Sequence, residues 1–339
     1  MTSTAIPALA PDPLLGPGSP VSCCWVDGRW TTVPQAGLTV ATQALHYGTG
    51  VFEGIRAYWN AQRDVSYLFR LSDHVDRFLR GCRLLRIDPK VSAAELRDVI
   101  VALVERSGFR GDLYLRPLAL KSRLAPGTPF GVGLSGVEDL VAVYAVPMPS
   151  RATLRTVSCS ISSWRRVPSA AVPPQAKLTG SYVNVALAVD EARAAGFDEA
   201  IMLNTGGTVA EASTSNVFAL HGNTLTTPSR DSDILPGITR DCVLELTRAY
   251  SAAEVREAPL PVPDLLMADE VFLSGTGGEL VAVTGIGGRA IGTGAPGPVT
   301  AELFTRYRAA VLGTDDAHAH WNTAVPAPAD RAHTDQKDS

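Results

Sequence analysis

The most informative part of the chain is Glu211-Ala212-Ser213-Thr214-Ser215-Asn216-Val217-Phe218, which is followed by Leu225-Thr226-Thr227 and Leu235-Pro236-Gly237-Ile238-Thr239-Arg240. Residues 217–220 and 224–227 are predicted strands, and His221-Gly222-Asn223 supplies the turn between them. Pro236-Gly237 is a helix-entry turn before an apolar periodic pattern, which predicts a helix over residues 238–250. The amides of Ile238 and Thr239 therefore lie at a helix N-terminus, where unpaired N–H groups meet an anion.

The chain around this stretch shows strand and helix patterns in an irregular order. Further strands are predicted at residues 25–26, 39–40, 113–118, 140–146, 156–162, 199–203 and 208–209. Further helices are predicted from near Ser72, at 93–107, at 182–195 and at 299–310. Strands dominate, and the helices between them follow no regular βαβ rhythm, so an α+β fold with two domains is favoured over a Rossmann fold.

Pro147-Met148-Pro149-Ser150 interrupts these patterns and marks the candidate linker between domains. Two prolines one residue apart fit neither a helix interior nor a central strand. We predict a disordered arm over residues 1–20, a smaller N-terminal α+β domain over 21–146, an interdomain loop over 147–155, a larger C-terminal domain over 156–325 and a flexible tail over 326–339. The arm carries no basic residue and lacks the compact apolar segment of a signal peptide.

Composition and charge argue against several classes of protein. The chain has 339 residues, of which 45% are hydrophobic and 19% are charged, an ordinary globular composition. A formal net charge of −4 argues against binding to nucleic-acid phosphates, and no apolar run approaches the roughly 20 residues of a membrane span. The five scattered cysteines form neither a disulfide framework nor a zinc-binding spacing, so no metal site is expected and a reducing cytoplasm is favoured.

Lysine is rare in this chain, which narrows the search for a lysine nucleophile. Only four of the 30 basic residues are lysines: Lys90, Lys121, Lys177 and Lys337. Lys177 comes after a proline-rich loop and just before an apolar helix. A lysine held near an apolar wall can lose its proton and attack a carbonyl group as a free amine. By itself, however, the position of Lys177 is also that of an ordinary surface lysine.

The motifs together resemble a known family. The segments at 211–218, 225–227 and 235–240 match, position by position, the signature of class IV aminotransferases, the fold-type IV enzymes that use pyridoxal 5′-phosphate (PLP). Residues 44–56, Tyr67-Leu68-Phe69-Arg70, Tyr114-Leu115-Arg116-Pro117 and residues 268–276 resemble motifs of branched-chain amino-acid aminotransferases. The resemblance runs from about residue 25 to residue 324. It implies a two-domain fold similar to that of D-amino-acid aminotransferase, with a C-terminal PLP-binding domain, an active site at the domain interface, and a homodimer.

The resemblance implies which residues hold PLP. Lys177 would form the Schiff base with the cofactor aldehyde and act as the catalytic residue. Tyr182 would donate to the phenolic oxygen, and Glu211 would face the pyridine nitrogen, where a carboxylate favours the protonated ring. The alternative for Glu211 is a surface strand glutamate. The remaining residues assigned to the cofactor, most of them to its phosphate, are Arg70, Gly237, Ile238, Thr239, Gly275 and Thr276.

The resemblance also implies a substrate site. The substrate α-carboxylate would meet the Thr276 and Gly277 amides and the Tyr114 hydroxyl group. The positions matched to the side-chain pocket are Phe52, Gly54 and Tyr182, together with Tyr47 from the partner subunit; Phe52 is equally compatible with a place in the core.

Arg116 lies two residues after Tyr114 on the same face of a strand, so both side chains reach the same pocket. In the family, the matching arginine pairs with the distal carboxylate of glutamate. An apolar pocket alone would leave that carboxylate desolvated and unpaired, which is costly. The alternative is a structural arginine that pairs with Glu53 or Asp112.

We therefore predict a transaminase that moves the amino group between a branched-chain or other hydrophobic L-amino acid and 2-oxoglutarate or another 2-oxo acid. The alternatives are a specialised biosynthetic relative acting on a non-standard amino acid, a D-amino-acid transaminase, an aminodeoxychorismate lyase, and a PLP-binding protein without activity. The specialised relative has support, because residues 121–128 replace the usual glycine-rich loop and the interdomain segment looks shortened. In addition, Met148 stands where bacterial relatives commonly have a tryptophan.

Overall fold

The computed structural model describes residues 23–123 and 131–327. These residues form two β-sheets and the helices that cover them. The arm predicted over residues 1–20, most of the tail predicted over 326–339 and most of the loop at 121–128 lie outside these described residues. Strands and helices are numbered in chain order below.

The first sheet is antiparallel, and most of it comes from the N-terminal part of the chain. Its strands are β1 (Cys23–Val26), β2 (Arg29–Thr32), β3 (Gly50–Phe52), β4 (Ile55–Asn60), β5 (Val65–Phe69), β6 (Leu113–Lys121), β7 (Asp139–Pro147) and β17 (Asn322–Pro326). They lie in the order β17-β5-β4-β6-β7-β1-β2, and β3 also pairs with β6. The last strand, β17, therefore returns to the first sheet, where Asn322 lies opposite Phe69.

Two long helices, α2 (Leu71–Leu84) and α3 (Ala93–Ser107), cover this sheet, and a short helix, α1 (Gln43–Tyr47), precedes β3. A capping box begins α3, in which the Glu95 amide donates to Ser92 Oγ and the Ser92 amide donates to Glu95 Oε2. Gly108 ends α3 in the left-handed conformation, with φ of 57°. The apolar faces of both helices are fully buried against the sheet, with the side chains of Val75, Phe78, Leu96, Ile100, Leu103, Leu115 and Val143 in one core.

The second sheet is mixed. Its strands are β8 (Arg155–Arg165), β9 (Glu199–Leu203), β10 (Val209–Ala212), β11 (Asn216–His221), β12 (Thr224–Thr227), β13 (Glu254–Glu257), β14 (Glu270–Gly275), β15 (Glu279–Ile286) and β16 (Arg289–Ala290). They lie in the order β10-β9-β8-β15-β14-β11-β12-β13, and β16 pairs with β15. Strand β8 runs parallel to both β9 and β15, and β12 runs parallel to β13, while the other neighbours are antiparallel.

Four helices accompany the second sheet: α4 (Tyr182–Ala194), α5 (Ile238–Tyr250), α6 (Val262–Leu266) and α7 (Pro298–Val311). Helix α4 packs on β8 and β9, whereas α5 and α7 pack on β14 and on each other. Within the described ranges, none of the helices is long and apolar enough to cross a membrane.

The structure confirms the predicted α+β pattern in most places. The helices at 93–107 and 238–250 and the strands at 199–203 and 224–227 have their predicted bounds. The strand predicted at 39–40 is wrong, because the chain turns there and the Thr42 amide donates to Thr39 O at 3.0 Å. β-Branched residues favour a strand only where a neighbouring strand packs against them. The domain boundaries stay a prediction, although β17 places residues 322–326 in the first sheet.

A backbone contact between β3 of the first sheet and the segment between β8 and α4 fixes the chain around Lys177. The Phe52 amide donates to Lys177 O at 3.1 Å, and Val51 forms an antiparallel bridge with Leu178. Next to this bridge, a Cβ atom on Gly48 would lie 2.5 Å from Gly180 Cα, so the two chain segments need glycine to approach this closely. The lysine is therefore held at the junction of the two sheets.

Candidate active site

A cavity of about 360 Å³ lies at this junction, and both sheets contribute to its wall. The first sheet and α2 supply Phe52, Gly54, Arg77, Tyr114 and Arg116. The second sheet and its loops supply Arg166, Lys177, Tyr182, Glu211, residues 214–216, Leu235, residues 237–239 and residues 274–278. The structure thus brings together every residue that we predicted for the site except Arg70 and Tyr47.

Lys177 presents its amine to the cavity between two aromatic rings. The Nζ atom lies 5.4 Å from the centre of the Phe52 ring and 5.5 Å from the centre of the Tyr182 ring. Burial, reinforced by the nearby Arg77 guanidinium, lowers the pKa of the Lys177 amine. Because the uncharged amine is the nucleophilic form, this environment suits a lysine that bonds to a carbonyl group.

Glu211 lies on β10 beside a β-bulge and is 4% exposed, so it is not a surface glutamate. Its Oε1 atom pairs with Arg166 Nη2 at 2.7 Å. Its Oε2 atom accepts from Asn216 Nδ2 and from the Leu235 amide, each at 3.2 Å. Burial raises the pKa of Glu211 above its usual value, although Arg166 acts in the opposite direction. The pairing with Arg166 therefore matters for the charge on this carboxyl group.

An anion cup lies at the N-terminus of α5. The helix begins at Ile238 after Gly237, so the Ile238 and Thr239 amides have no partner within the helix. A Cβ atom on Gly237 would lie 2.1 Å from Asn216 Oδ1, so only glycine fits at this position next to Asn216, whose side chain donates to Glu211. Gly275 of β14 is similarly close to Ser215 Oγ, at 2.9 Å from its Cβ position. The cup is suited to a phosphate group.

The structure contradicts the prediction that Arg70 lies at this cup. Arg70 is the left-handed residue between β5 and α2, and its side chain points away from the cavity. Its Nε atom pairs with Asp73 at 2.6 Å and its Nη1 atom lies 3.7 Å from Glu245, while its guanidinium stacks on Trp321. Arg77, two turns further along α2, lines the cavity instead.

Arg77 is the cation at the cup, and sequence reasoning missed it. Its Nη1 atom donates to Pro236 O at 2.9 Å, directly before the start of α5. Glu53 holds the guanidinium from the other side through Nε at 2.6 Å and Nη2 at 2.9 Å, and His74 Nδ1 lies 2.8 Å from Glu53. No clear signal for it exists in the sequence, because Arg77 lies two residues after Val75 and one before Phe78, off the apolar repeat of α2; its importance shows only in its burial in the folded helix.

This buried triad is electrically coupled. Burial alone would raise the pKa of Glu53, but Arg77 and His74 outweigh it and hold the pKa of this carboxyl well below its usual range. Burial also lowers the pKa of the His74 imidazole, while Glu53 raises the pKa of Arg77. The carboxylate and the guanidinium are therefore both charged, and they fix one another beside the cup.

The part of the cavity that we predicted to bind the substrate is lined by Gly54 and the aromatic residues Phe52, Tyr114 and Tyr182. A Cβ atom on Gly54 would lie 1.8 Å from the Tyr114 hydroxyl oxygen, so glycine is required for Tyr114 to occupy its place. The Phe52 and Tyr182 rings lie 4.8 Å apart, which makes Phe52 a wall of the cavity. Burial and the Glu211 carboxylate raise the pKa of Tyr182 to about 12, so its hydroxyl group remains a hydrogen-bond donor.

Arg116 enters the same space from β6. Its guanidinium carbon lies 4.5 Å from the centre of the Phe52 ring and 5.4 Å from that of Tyr114. Its Nε atom is buried and has no hydrogen-bond partner among the described residues. The structural alternative is wrong, because Glu53 pairs with Arg77 and His74, and the Asp112 carboxylate accepts from the Trp59 and Ser150 amides.

The residues present fit PLP. Beyond the lysine and the cup, the wall contains buried donors that lack a partner within the described residues: Nε of Arg116, Nε and Nη1 of Arg166, and Oγ of Ser274. Buried donors of this kind are costly unless a bound group accepts from them. A molecule with an aldehyde, a ring nitrogen, a phenolic oxygen and a phosphate offers a partner to each part of this wall.

The fold and this wall are suited to a carbonyl cofactor, and comparison with known proteins gives the family. The model of the amino-transferase class IV family matches residues 50–286. The chain therefore belongs to the class IV aminotransferases, as the sequence motifs predicted. The fold-type IV architecture predicted from the same motifs is confirmed as well.

The relatives cover nearly the whole chain. A probable branched-chain-amino-acid aminotransferase of Aquifex aeolicus (strain VF5) is 38% identical over 300 residues, which are 88% of this chain and 95% of that protein. The crystal structure of the branched-chain aminotransferase from Thermoproteus uzoniensis with norvaline has a TM-score of 0.84 at 38% identity and covers 90% of this chain and 99% of its own. The T.th. branched-chain amino acid aminotransferase complexed with N-(5′-phosphopyridoxyl)-L-glutamate has a TM-score of 0.84 at 37% identity and covers 89% of this chain and 98% of its own.

Proposed function

We propose that this protein is a PLP-dependent transaminase that exchanges an amino group between a branched-chain or other hydrophobic L-amino acid and 2-oxoglutarate. One observation carries the proposal: Lys177, the Glu211–Arg166 pair and the cup at the start of α5 face a single cavity. When bound there, PLP supplies an electron sink for the bond between the substrate α-carbon and its hydrogen. A relative of similar fold carries a phosphopyridoxyl group joined to glutamate, which supports this assignment.

Each residue that lines the cavity has a separate role in the proposed reaction. Lys177 Nζ would hold the cofactor through its carbonyl group, with loss of water, until the substrate amine takes its place. The freed Lys177 amine would then take the proton from the substrate α-carbon and later return a proton, which contributes roughly 10²–10⁴-fold to the rate. Glu211 holds the ring nitrogen and Tyr182 donates to the phenolic oxygen. The phosphate is held by Arg77, the Ile238 and Thr239 amides and the Thr276 hydroxyl group. Gly237 and Gly275 let the backbone approach it.

The substrate is bound on the opposite side. The Thr276 and Gly277 amides and the Tyr114 hydroxyl group receive its α-carboxylate. Phe52 and the space above Gly54 accept an apolar side chain. Arg116 pairs with the distal carboxylate of glutamate in the second half-reaction. Its buried Nε atom, which has no hydrogen-bond partner among the described residues, supports that role.

We also propose a homodimer. Leu45 of α1 and Val183 and Leu187 of α4 are large apolar side chains that are 70%, 67% and 41% exposed. The contact between Gly48 and Gly180 joins the ends of these two helices, so the three side chains belong to neighbouring surfaces. A second copy would cover them, and Tyr47, the last residue of α1, would then lie at the neighbouring site. A cytoplasmic location is supported by the five unpaired cysteines, four of which are buried.

A second candidate, a specialised enzyme for a non-standard amino acid, is favoured by Met148. The methyl carbon of Met148 lies 4.0 Å from the Cβ position of Gly277, so this side chain borders the turn assigned to the substrate carboxylate. A flexible thioether there leaves more room than a large aromatic ring would. The two candidates differ in the size of the side chain that they accept.

Half-reactions with single amino acids test the proposal. PLP-loaded protein is mixed with L-leucine, L-isoleucine, L-valine, L-glutamate, D-alanine or a bulky non-standard L-amino acid, and the cofactor absorbance is followed. The proposal predicts rapid conversion by the branched-chain amino acids and L-glutamate, and none by D-alanine. Conversion by the bulky amino acid alone would favour the specialised enzyme, and conversion by D-alanine alone would overturn both.

A further inference from the structure

Arg166 is a buried cation that the sequence motifs did not identify. It directly follows β8, at a register shift in the pairing of β8 with β9, and its amide donates to Leu203 O at 2.9 Å. The side chain is 8% exposed and lines the cavity. Its Nη2 atom lies 2.7 Å from Glu211 Oε1, whereas Nε and Nη1 have no partner within the described ranges. The guanidinium is therefore held at the cavity by one carboxylate.

Among the charged groups around Glu211, Arg166 is the cation that stays paired with it throughout the proposed reaction. The charged and titratable groups that act on Glu211 or on the neighbouring Lys177 and Tyr182 include Arg166, Lys177, Tyr182, Arg77, Glu53, Tyr114 and Arg116. Arg77 is already paired with Glu53, and Arg116 stacks on Phe52. On the proposed function, Lys177 would hold the cofactor carbonyl, so its nitrogen would not serve as a second ion-pair partner for Glu211. Among the described residues, Arg166 is then the cation at hydrogen-bond distance from Glu211.

A ring nitrogen held by Glu211 would share one proton with the Glu211 carboxylate. If the proton lies on nitrogen, the pair is an ion pair; if it lies on the carboxylate oxygen, both groups are neutral. A buried carboxylate without a cation favours the neutral arrangement, because burial penalises charge. A cation at hydrogen-bond distance from the carboxylate reverses this preference, because it stabilises the negative charge in a site that excludes water.

We propose that Arg166 is a positioning residue that keeps this proton on the ring nitrogen by holding Glu211 in its charged form. The inference rests on the proposed function, since it requires PLP in the cavity. Arg166 acts through Glu211 and does not itself move a proton. The guanidinium suits this task because its planar group of N–H donors matches the geometry of a carboxylate.

The test reads the proton directly with PLP labelled with ¹⁵N in the ring, bound to the full-length protein. In the unaltered protein, the nitrogen chemical shift should be that of a protonated ring. In Arg166→Met it should move towards that of an unprotonated ring, and raising the pH should not restore it, because higher pH removes the shared proton. Arg166→Lys, which keeps a charge, should restore most of the shift. Arg165→Met is the matched control, because Arg165 is exposed and does not line the cavity.

A kinetic cycle gives a second readout. Arg166→Met should slow removal of the α-hydrogen by at least about tenfold, the effect of one pKa unit. Because Arg166 acts through Glu211, adding Arg166→Met to Glu211→Gln should cause little further loss. A ring that stays protonated in Arg166→Met, or an additional tenfold loss in the double variant, would overturn the inference. If the unaltered protein forms no covalent complex with PLP, the proposed function fails instead, so the two failures are distinct.

Discussion

Arg77→Gln should weaken PLP binding, and Arg70→Gln should not. Arg77 lies at the cup beside Pro236, whereas Arg70 points to Asp73, Glu245 and Trp321. A hydrogen bond to a charged group contributes about 1.5–3 kcal/mol, so the dissociation constant for PLP should rise by roughly 10- to 100-fold in Arg77→Gln. Asp73 and Glu245 are about half exposed, so the loss of the Arg70 pairs costs only about 0–1 kcal/mol of stability.

Arg77→Gln also removes the ion-pair partner of the buried Glu53 and should therefore lower the stability of the fold. This loss of stability has to be measured separately from the loss of phosphate binding. Glu53 is 0% exposed, and breaking a buried ion pair costs about 3–5 kcal/mol of stability. The double variant Glu53→Gln/Arg77→Gln removes both charges and should regain much of that stability while still binding PLP weakly. Equilibrium dialysis of PLP and thermal unfolding of the apoprotein measure the two effects. Normal PLP affinity in Arg77→Gln, with weak affinity in Arg70→Gln, would refute the assignment.

Three further variants test other parts of the site. Gly54→Ala should raise KM for L-leucine and L-glutamate more than it lowers kcat, because the added methyl group would lie 1.8 Å from the Tyr114 hydroxyl oxygen and would displace it. An unchanged KM would show that Tyr114 does not bind the substrate α-carboxylate. Arg116→Met should cripple the half-reaction with glutamate and largely spare that with leucine, and equal losses would mean that Arg116 only supports the pocket. The melting temperature of the unaltered protein should fall below about pH 6.5, because burial lowers the pKa of His74 and the unfolded chain therefore protonates this histidine more readily than the folded chain does. His74→Asn should make this fall smaller. Parallel melting curves would contradict that account.

The sequence predicted the helices and strands whose ends are set by residues close by in the chain. The helix at 93–107 has its capping residues and its terminal glycine in the sequence itself, so both ends were predictable. The resemblance to the family predicted that Lys177 and Glu211 lie at one site, and both residues line the cavity; Glu211 begins the long constrained motif. The irregular order of strands and helices was enough to indicate an α+β fold.

Features that depend on distant contacts were not predictable in the same way. Strand β17 joins the first sheet through pairing with β5, about 250 residues earlier in the chain, and a single strand pattern carries no information about its partner. The choice between Arg70 and Arg77 depends on the left-handed backbone at Arg70, which turns that side chain towards α5 and Trp321. Arg166 has no motif of its own, and only its approach to Glu211 shows its importance.

Mass spectrometry after borohydride reduction tests the central claim most directly. The full-length protein is loaded with PLP, reduced and digested, and the peptides are searched for a phosphopyridoxyl group. The account predicts the group on the peptide that contains Lys177, absence of the group and of turnover in Lys177→Ala, and normal labelling in Lys90→Ala, which alters an exposed lysine. A label on Lys121, or an active preparation with no label, would contradict it.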